Sequence, residues 1–584
     1  MSLLAGYMGA PDPRVDATLA SALRHRHQGA VHHVDNAHGR LFWAADAFTP
    51  DEATRGLARC GAVALGIAGE RVPTPAELLA SYLTEGVSAF DALTGAFVLA
   101  VLDGRQLVLA RDTAGERSLY VTRHASRRCF AIEPKALWGL PGFSREIEPS
   151  AVPRYFTFSF QPGRETMLRG IHQVPAAGVW RFGPDGATAD EPLESFSYAH
   201  AERAAAPHVP EPVSDDAGRV HDFAGTLAAA VRARVQAAGR HGVAATLSGG
   251  LDSSLVAALL VRDRATPLPT YTLHFGEKLP NELEFARLVA RHLGTEHHEV
   301  ALEPRRFARD LSELVALLDD PIGDPVTLGN YALARRIDSA HPVVFNGEGG
   351  DPCFGGPKTI PMMMHHWYGP GADTAPDPLH RERAYLMSYR RAYHELPQLL
   401  CEPYRGHGAH LPELLSPYFA RPHGVLLRML LEINQRLKGA HLILPKVERL
   451  QRSAGLWPMS PLFDRAMIDA SMTLPARLIV ARGSDKRVLR EVAAPLIPPE
   501  ILARPKSGMR VPVNYWFRGE LRGLAKKLLA PKRVRRAGIF DAERVQDILR
   551  YDTEQSGARY GLWLWMLLTF EMWRGVVLDG EQDW

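Results

Sequence analysis

The stretch Val243-Ala244-Ala245-Thr246-Leu247-Ser248-Gly249-Gly250-Leu251-Asp252-Ser253-Ser254 decides the fold. Its first five residues are a short apolar, β-branched run, which predicts a buried strand. Gly249 and Gly250 then let the backbone turn sharply and approach a ligand closely. The apolar run from Ser253 to Arg262 predicts a helix, so Ser253 and Ser254 stand at its N-terminus. Free N–H groups and the helix dipole attract an anion there. Asp252 sets a carboxylate beside that anion, the arrangement by which proteins commonly hold magnesium on phosphate oxygens. The loop lacks the GxxxxGK[ST] pattern, so its phosphate chemistry need not release a γ-phosphate.

The pattern continues outward on both sides. A helix over 220–237 precedes the strand. The strand 270–275, the helix 281–293 and the strand 297–300 follow it, and a strand over 343–345 ends at a second glycine loop. Strands alternating with helices predict a parallel sheet covered on both faces. Ligands bind beyond the carboxyl ends of such strands, where both glycine loops fall. The second loop, Asn346-Gly347-Glu348-Gly349-Gly350-Asp351, carries two carboxylates three residues apart.

The earlier part of the chain differs in style. The runs 97–102 and 107–110 predict buried strands, joined by Asp103-Gly104 in a hairpin turn. The stretch 198–216 is rich in Ala, Pro and charge and reads as a linker. Domains are therefore expected at 1–200 and 217–584, joined by 201–216, with 357–440 standing out as a divergent region rich in Pro, His and Met.

Taken together these segments resemble the asparagine synthetase family. Ser248 to Ser253 is similar to the pyrophosphate-binding SGGxDS signature of the N-type ATP pyrophosphatases, which split ATP into AMP and pyrophosphate. Further matching segments are 281–286, 293–300, Asp320-Pro321, 346–351, Phe354-Gly355-Gly356, 485–490 and Arg504-Pro505-Lys506. The resemblance implies an α/β synthetase domain with a doubly wound parallel sheet. Before it should come an α+β N-terminal-nucleophile-like sandwich.

The resemblance also implies a site. Leu247, Ser248, Gly249, Gly250, Leu251, Asp252, Ser253, Ser254, His274, Gly347 and Lys506 would hold ATP and pyrophosphate, and Asp252 and Asp351 would hold Mg2+. Glu348 occupies the place of the acidic residue near the attacking amine. An ammonium cannot attack, and a positioned base that takes its proton contributes about 10²–10⁴-fold in rate. Lys486 would supply the fixed cation needed where negative charge builds on the tetrahedral intermediate and the departing phosphate.

Residues 93–97, 110–120 and 131–137 resemble the class II glutamine amidotransferase domain. That domain uses an N-terminal cysteine as nucleophile, whereas this chain has Ser2. Its expected Asn-Gly-Glu stretch reads Gly66-Ile67-Ala68-Gly69-Glu70. A serine is the weaker nucleophile at neutral pH, so glutaminase activity is expected to be lost and the amine must come from elsewhere.

Three substrates fit: aspartate with ammonia, as in asparagine synthetase; a small molecule closed to a β-lactam; or a peptide closed to a lasso by joining its N-terminal amine to an Asp or Glu side chain. β-Lactam synthetases carry a tyrosine where this chain has Glu348. The loop 347–358 is similar to those of lasso-peptide macrolactam cyclases, and the run 362–368 (Met-Met-Met-His-His-Trp-Tyr) offers soft, adaptable contacts for a peptide, or else a buried helix. The expected partners are a precursor peptide, a leader-binding protein and a leader peptidase. A pseudoenzyme scaffold is the alternative of a different class, and the retained Asp252, Glu348, Asp351 and Lys486 argue against it.

Composition narrows the rest. The chain is 46% hydrophobic and 23% charged, with a net charge of +3, giving no reason to expect nucleic acid or an anionic membrane as partner. No signal peptide is read at the start, and the apolar stretch 562–568 is short of a membrane span. Four scattered cysteines without CxxC spacing suit a reducing, cytoplasmic setting. The adjacent histidine pairs His32-His33, His297-His298 and His365-His366 point apart and do not suggest a shared metal.

Overall fold

The computed structural model describes the chain except residues 1–2, 25–29, 46–55, 184–193, 198–214, 263, 277–278, 280, 303–305, 369–376, 421–424, 505–508, 510, 555–558 and 582–584. Ser2, Lys506 and nearly all of the expected linker lie outside the described residues. The chain forms two units. One comprises Met1–Glu148, Gly163–Ala206 and Gly439–Glu448; the other comprises Pro149–Pro162, Pro207–Lys438 and Arg449–Trp584.

The first unit holds two antiparallel six-stranded sheets. One runs, edge to edge, Ile171–Gln173, Tyr120–His124, Arg127–Ala131, Leu3–Met8, Gly39–Ala44, Val31–Asn36. The other runs Glu194–Ser197, Gly178–Phe182, Gln106–Arg111, Phe97–Asp103, Val63–Gly69, Leu57–Cys60. The continuous apolar run of Phe97–Asp103 exists because that strand is covered on both faces. Val98, Ala100 and Leu102 join Leu4, Leu41, Val121 and Phe130 in the core between the sheets. Phe97, Leu99 and Val101 face the opposite way, onto Leu78, Leu79 and Tyr82 of the helix Pro75–Glu85. That helix starts on a capping box in which Thr74 and Glu77 satisfy each other's backbone N–H. Residues 439–448 belong here because Arg111, fully buried, donates to the Ala440 carbonyl at 2.9 Å.

The second unit is built on a parallel sheet in the order Glu296–Ala301, Pro269–His274, Val243–Thr246, Val343–Phe345, Trp457–Met459. Each predicted strand forms within a residue or two of its expected ends. The order reverses beside Val243–Thr246: the chain steps outward twice on one side, then returns to pair Val343–Phe345 on the other. A crevice at the carboxyl ends of the strands is expected where the order reverses. The long helix Asp216–Ala238 and the helix Leu251–Val261 flank this point, the latter with all but its last residue buried.

Residues 149–162 belong to this unit. Tyr155 shares a hydrogen bond with Thr569 Oγ1 at 2.7 Å, and Phe156 packs on Phe540 and Phe570. The helix Gly561–Arg574 continues into a π-helical turn, Gly575–Asp579, so it is longer than the apolar stretch 562–568 suggests. It is long and apolar enough to cross a membrane, but 83% of its most apolar window is buried inside the protein. Its Glu571 is fully buried and paired with Arg574 at 3.1 Å and Arg533 at 3.4 Å. These features describe a core helix.

The divergent region 357–440 is mostly helical where it is described. It includes Thr359–Tyr368, His380–Leu386 and Leu426–Ile433, then a π-helical stretch, Asn434–Ile443.

Candidate active site

The two glycine loops meet at the reversal point. Gly249 adopts a left-handed φ of +70°, and a β-carbon there would strike the backbone of Phe285 and Ala286 at the start of the next helix. The turn is closed by its own serines: Ser253 Oγ accepts from the Ser248 N–H at 3.1 Å and lies 2.9 Å from Ser248 Oγ. The Gly250 N–H donates to Ser248 Oγ at 3.3 Å. Leu247 is held by its N–H to the Tyr271 carbonyl at 2.9 Å, while the Thr272 hydroxyl donates to the Leu247 carbonyl. His274 ends the neighbouring strand, its Nδ1 taking the Gly276 N–H at 3.2 Å.

The second loop is pressed onto the first. A β-carbon at Gly347 would overlap the backbone of Ser253, and one at Gly350 would overlap the Asp252 carboxylate. The Asn346 side chain accepts the Glu348 N–H at 3.0 Å, and its backbone N–H donates to the Met459 carbonyl at 3.0 Å, tying the loop to the edge strand. Glu348 is half-buried. Asp351 sits in the first turn of the short helix Gly350–Phe354.

Lys486 completes the arrangement from far along the chain. Its ammonium is 2% exposed and donates to Asp252 Oδ2 at 2.6 Å. It also pairs with Asp351. One buried cation thus bridges one carboxylate from each loop. Lys486 itself has a left-handed φ of +56°, a conformation that costs a non-glycine residue energy and tends to persist at functional sites. The backbone is held there by Arg490, whose Nε–H donates to the Asp485 carbonyl at 3.0 Å.

Sequence reasoning left one contributor without a role. Arg504 reaches back to donate to the Gly249 carbonyl at 3.4 Å, forms an ion pair with Glu282, and lies 4.0 Å over the Phe285 ring. The residue appeared only as part of the Arg504-Pro505-Lys506 match, and nothing local in sequence points to a loop 255 residues away.

The donor set can be tested against a metal. Asp252 and Asp351 offer hard carboxylate oxygens converging on one cation, here the Lys486 ammonium. Among the described residues no group of three or more His, Cys, Asp or Glu side chains is arranged to hold a metal. Two carboxylates suit an ion that completes its shell with water and substrate phosphates, as Mg2+ does.

The model of the asparagine synthase family matches residues 222–575, and that of a glutamine amidotransferase domain matches residues 74–192. A putative glutamine-hydrolysing asparagine synthetase of Mycobacterium tuberculosis is 27% identical, over 86% of this chain and 79% of its own length. A glutamine-hydrolysing asparagine synthetase of Bacillus subtilis is 22% identical, over 86% and 80%. The carboxyethyl-arginine beta-lactam-synthase of Streptomyces clavuligerus is 27% identical, over 72% and 65%. With its amidotransferase-type sandwich, its parallel sheet and its paired glycine loops, the chain belongs to the asparagine synthase family of ATP-dependent amide ligases.

Proposed function

We propose that this chain activates a carboxylate of a peptide with ATP, releasing AMP and pyrophosphate, and closes the peptide to a lasso macrolactam through its N-terminal amine. The observation that carries the ligase part is the Asp252–Lys486–Asp351 bridge at the reversal point of the sheet. It puts a buried cation and two carboxylates where the Ser248–Ser254 turn would receive phosphates.

In this reading Asp252 and Asp351 hold Mg2+, which supplies neutralising charge to the departing pyrophosphate. The Ser248–Ser254 turn receives the phosphates on backbone N–H groups and serine hydroxyls, and the family resemblance assigns Lys506 to the same phosphates. Leu247 and His274 flank the adenine side. Lys486 supplies the fixed cation that stabilises charge on the tetrahedral intermediate. Glu348 takes the proton of the attacking amine so that a lone pair reaches the acyl carbon. A closed site must also keep water from the adenylate, which would otherwise hydrolyse.

The peptide part rests on the loop 347–358 and the helix beyond it. In Thr359–Tyr368 the face formed by Met364, Trp367 and Tyr368 is exposed, at 50%, 50% and 78%, while Met362 is buried. The run is therefore both core and surface, and its exposed face offers a soft apolar strip of the kind a peptide can cover. The Gly66-Ile67-Ala68-Gly69-Glu70 stretch, where an Asn-Gly-Glu is expected near a glutamine site, fits an amine carried by the substrate itself.

The relationship to the beta-lactam-synthase favours a second reading, closure of a small molecule. One experiment separates them. The protein with Mg-ATP is given a precursor core peptide containing an Asp or Glu ring acceptor. The expected product has lost one water and resists aminopeptidase. Turnover of a β-amino acid to its lactam, with no change in any peptide, would contradict the proposal.

A further inference from the structure

Arg504 follows the helix Pro499–Ala503 and turns back onto the first glycine loop. Three groups lie against its guanidinium: the Glu282 carboxylate, the Phe285 ring at 4.0 Å and the Gly249 carbonyl at 3.4 Å. The last distance is long for a hydrogen bond, so the first two contacts decide where the guanidinium lies. Glu282 stands at the start of the helix Leu283–Leu293, yet its side chain does not cap that helix and pairs with Arg504 instead. The turn that carries Arg504 is braced in its own right. Arg490 Nη1 donates to the Leu502 carbonyl at 2.7 Å and its Nε to the Asp485 carbonyl at 3.0 Å.

A peptide unit is planar and trans, so its C=O and N–H point in opposite directions. The Gly249 carbonyl and the Gly250 N–H belong to one such unit. With the carbonyl turned toward Arg504, the N–H points into the loop, where it meets Ser248 Oγ at 3.3 Å beside Ser253 Oγ. The covalent chain does not force this choice. A flip of the unit would carry Gly250 from its φ of −89° into the left-handed half of the map, which glycine enters freely. It would also set a carbonyl oxygen where a bound phosphate needs a donor.

We propose that Arg504 is a positioning residue that latches the Gly249–Gly250 peptide plane, keeping the Gly250 N–H turned toward a bound pyrophosphate group. This rests on reading the Ser248–Ser254 turn as the phosphate site. Glu282 and Phe285 hold the latch, and the glycines that let the loop pack closely are the reason it is needed.

The full-length protein is titrated calorimetrically with magnesium pyrophosphate. R504M is expected to bind it roughly tenfold more weakly, a difference worth about 1.4 kcal/mol. The same substitution is then made in a G250A background. Alanine adopts the present backbone of Gly250 without strain, and the nearest atom its β-carbon would meet is Ser248 Oγ at 3.4 Å. It resists the flipped form, because a β-carbon disfavours positive φ. Whatever G250A itself costs, the loss on adding R504M is expected to shrink there to less than about twofold, since the flip is already blocked. Should R504M lose its cooperative thermal unfolding, R504K carries the same test: its ammonium answers Glu282 but lacks the planar fork that reaches a carbonyl as well.

Unchanged pyrophosphate affinity in R504M would overturn the proposal. An equal loss in both backgrounds would overturn it too, because Arg504 would then act by another route, such as placing Lys506. A G250A protein without measurable binding would count against it, since the latched backbone is one that alanine adopts. A parent that does not bind pyrophosphate would instead sink the phosphate reading itself, and the latch with it.

Discussion

A buried lysine held between two aspartates is stable only while its charge is answered, because an unpaired charge in that setting is costly. Lys486 has this setting, at 2% exposure and 2.6 Å from Asp252. The bridge ties one carboxylate from each glycine loop to a single cation, so each of the three side chains holds the other two in place. Removing a carboxylate therefore differs in effect from removing the base. Asp252→Ala is expected to abolish substrate-dependent exchange of pyrophosphate into ATP as well as product. Glu348→Gln is expected to keep that exchange and lower amide formation by about 10²–10⁴-fold. Parallel losses in both assays for Glu348→Gln would show that it acts before the amine does. At this scale the sequence was informative wherever a residue belongs to a local motif, as Ser248 to Ser254 do. Lys486 and Asp351 could be paired with Asp252 only through the family pattern, since 234 residues separate Lys486 from Asp252.

At the scale of elements, the site depends on two loops with no room between them. Gly350 faces the Asp252 carboxylate so closely that a methyl group would overlap it. Lys486 fixes that carboxylate from the other side, so it cannot swing away without breaking the bridge. Gly350→Ala is expected to lower exchange at least as much as it lowers stability. Overpacking of this kind costs about 1–3 kcal/mol, and thermal unfolding followed alongside exchange separates the two effects. Unchanged exchange would mean that the loops are looser than their contacts imply. The strands that carry these loops were legible because each is a short β-branched run before a glycine turn. The helices Phe307–Leu318 and Val326–Ala334 were not anticipated, although both are amphipathic or buried pieces of the same layer. Nor was the edge strand Trp457–Met459. Its three residues have Pro458 at the centre, and proline argues against a strand unless it lies at a sheet edge, as it does here.

Across the whole molecule, the alternation of strand and helix after about residue 217 predicted the parallel sheet, whereas the sandwich before about residue 200 was expected from the family resemblance, with the hairpin at Asp103-Gly104 its local sign. What composition could not reveal is that sequence order and spatial unit differ. Residues 149–162 fold with the synthetase unit and 439–448 with the sandwich. Both are held by contacts hundreds of residues apart in sequence, Tyr155 to Thr569 and Arg111 to Ala440. The divergent region 357–440 resisted reading because its helices are short and several begin without a side-chain cap.

The central claim is that ATP is cut between its α and β phosphorus atoms to activate a carboxylate. Purified protein supplied with Mg-ATP labelled at the α phosphorus and with a peptide that it closes should release labelled AMP, in equal amount to the ring formed. Orthophosphate with labelled ADP, in step with ring formation, would contradict the account.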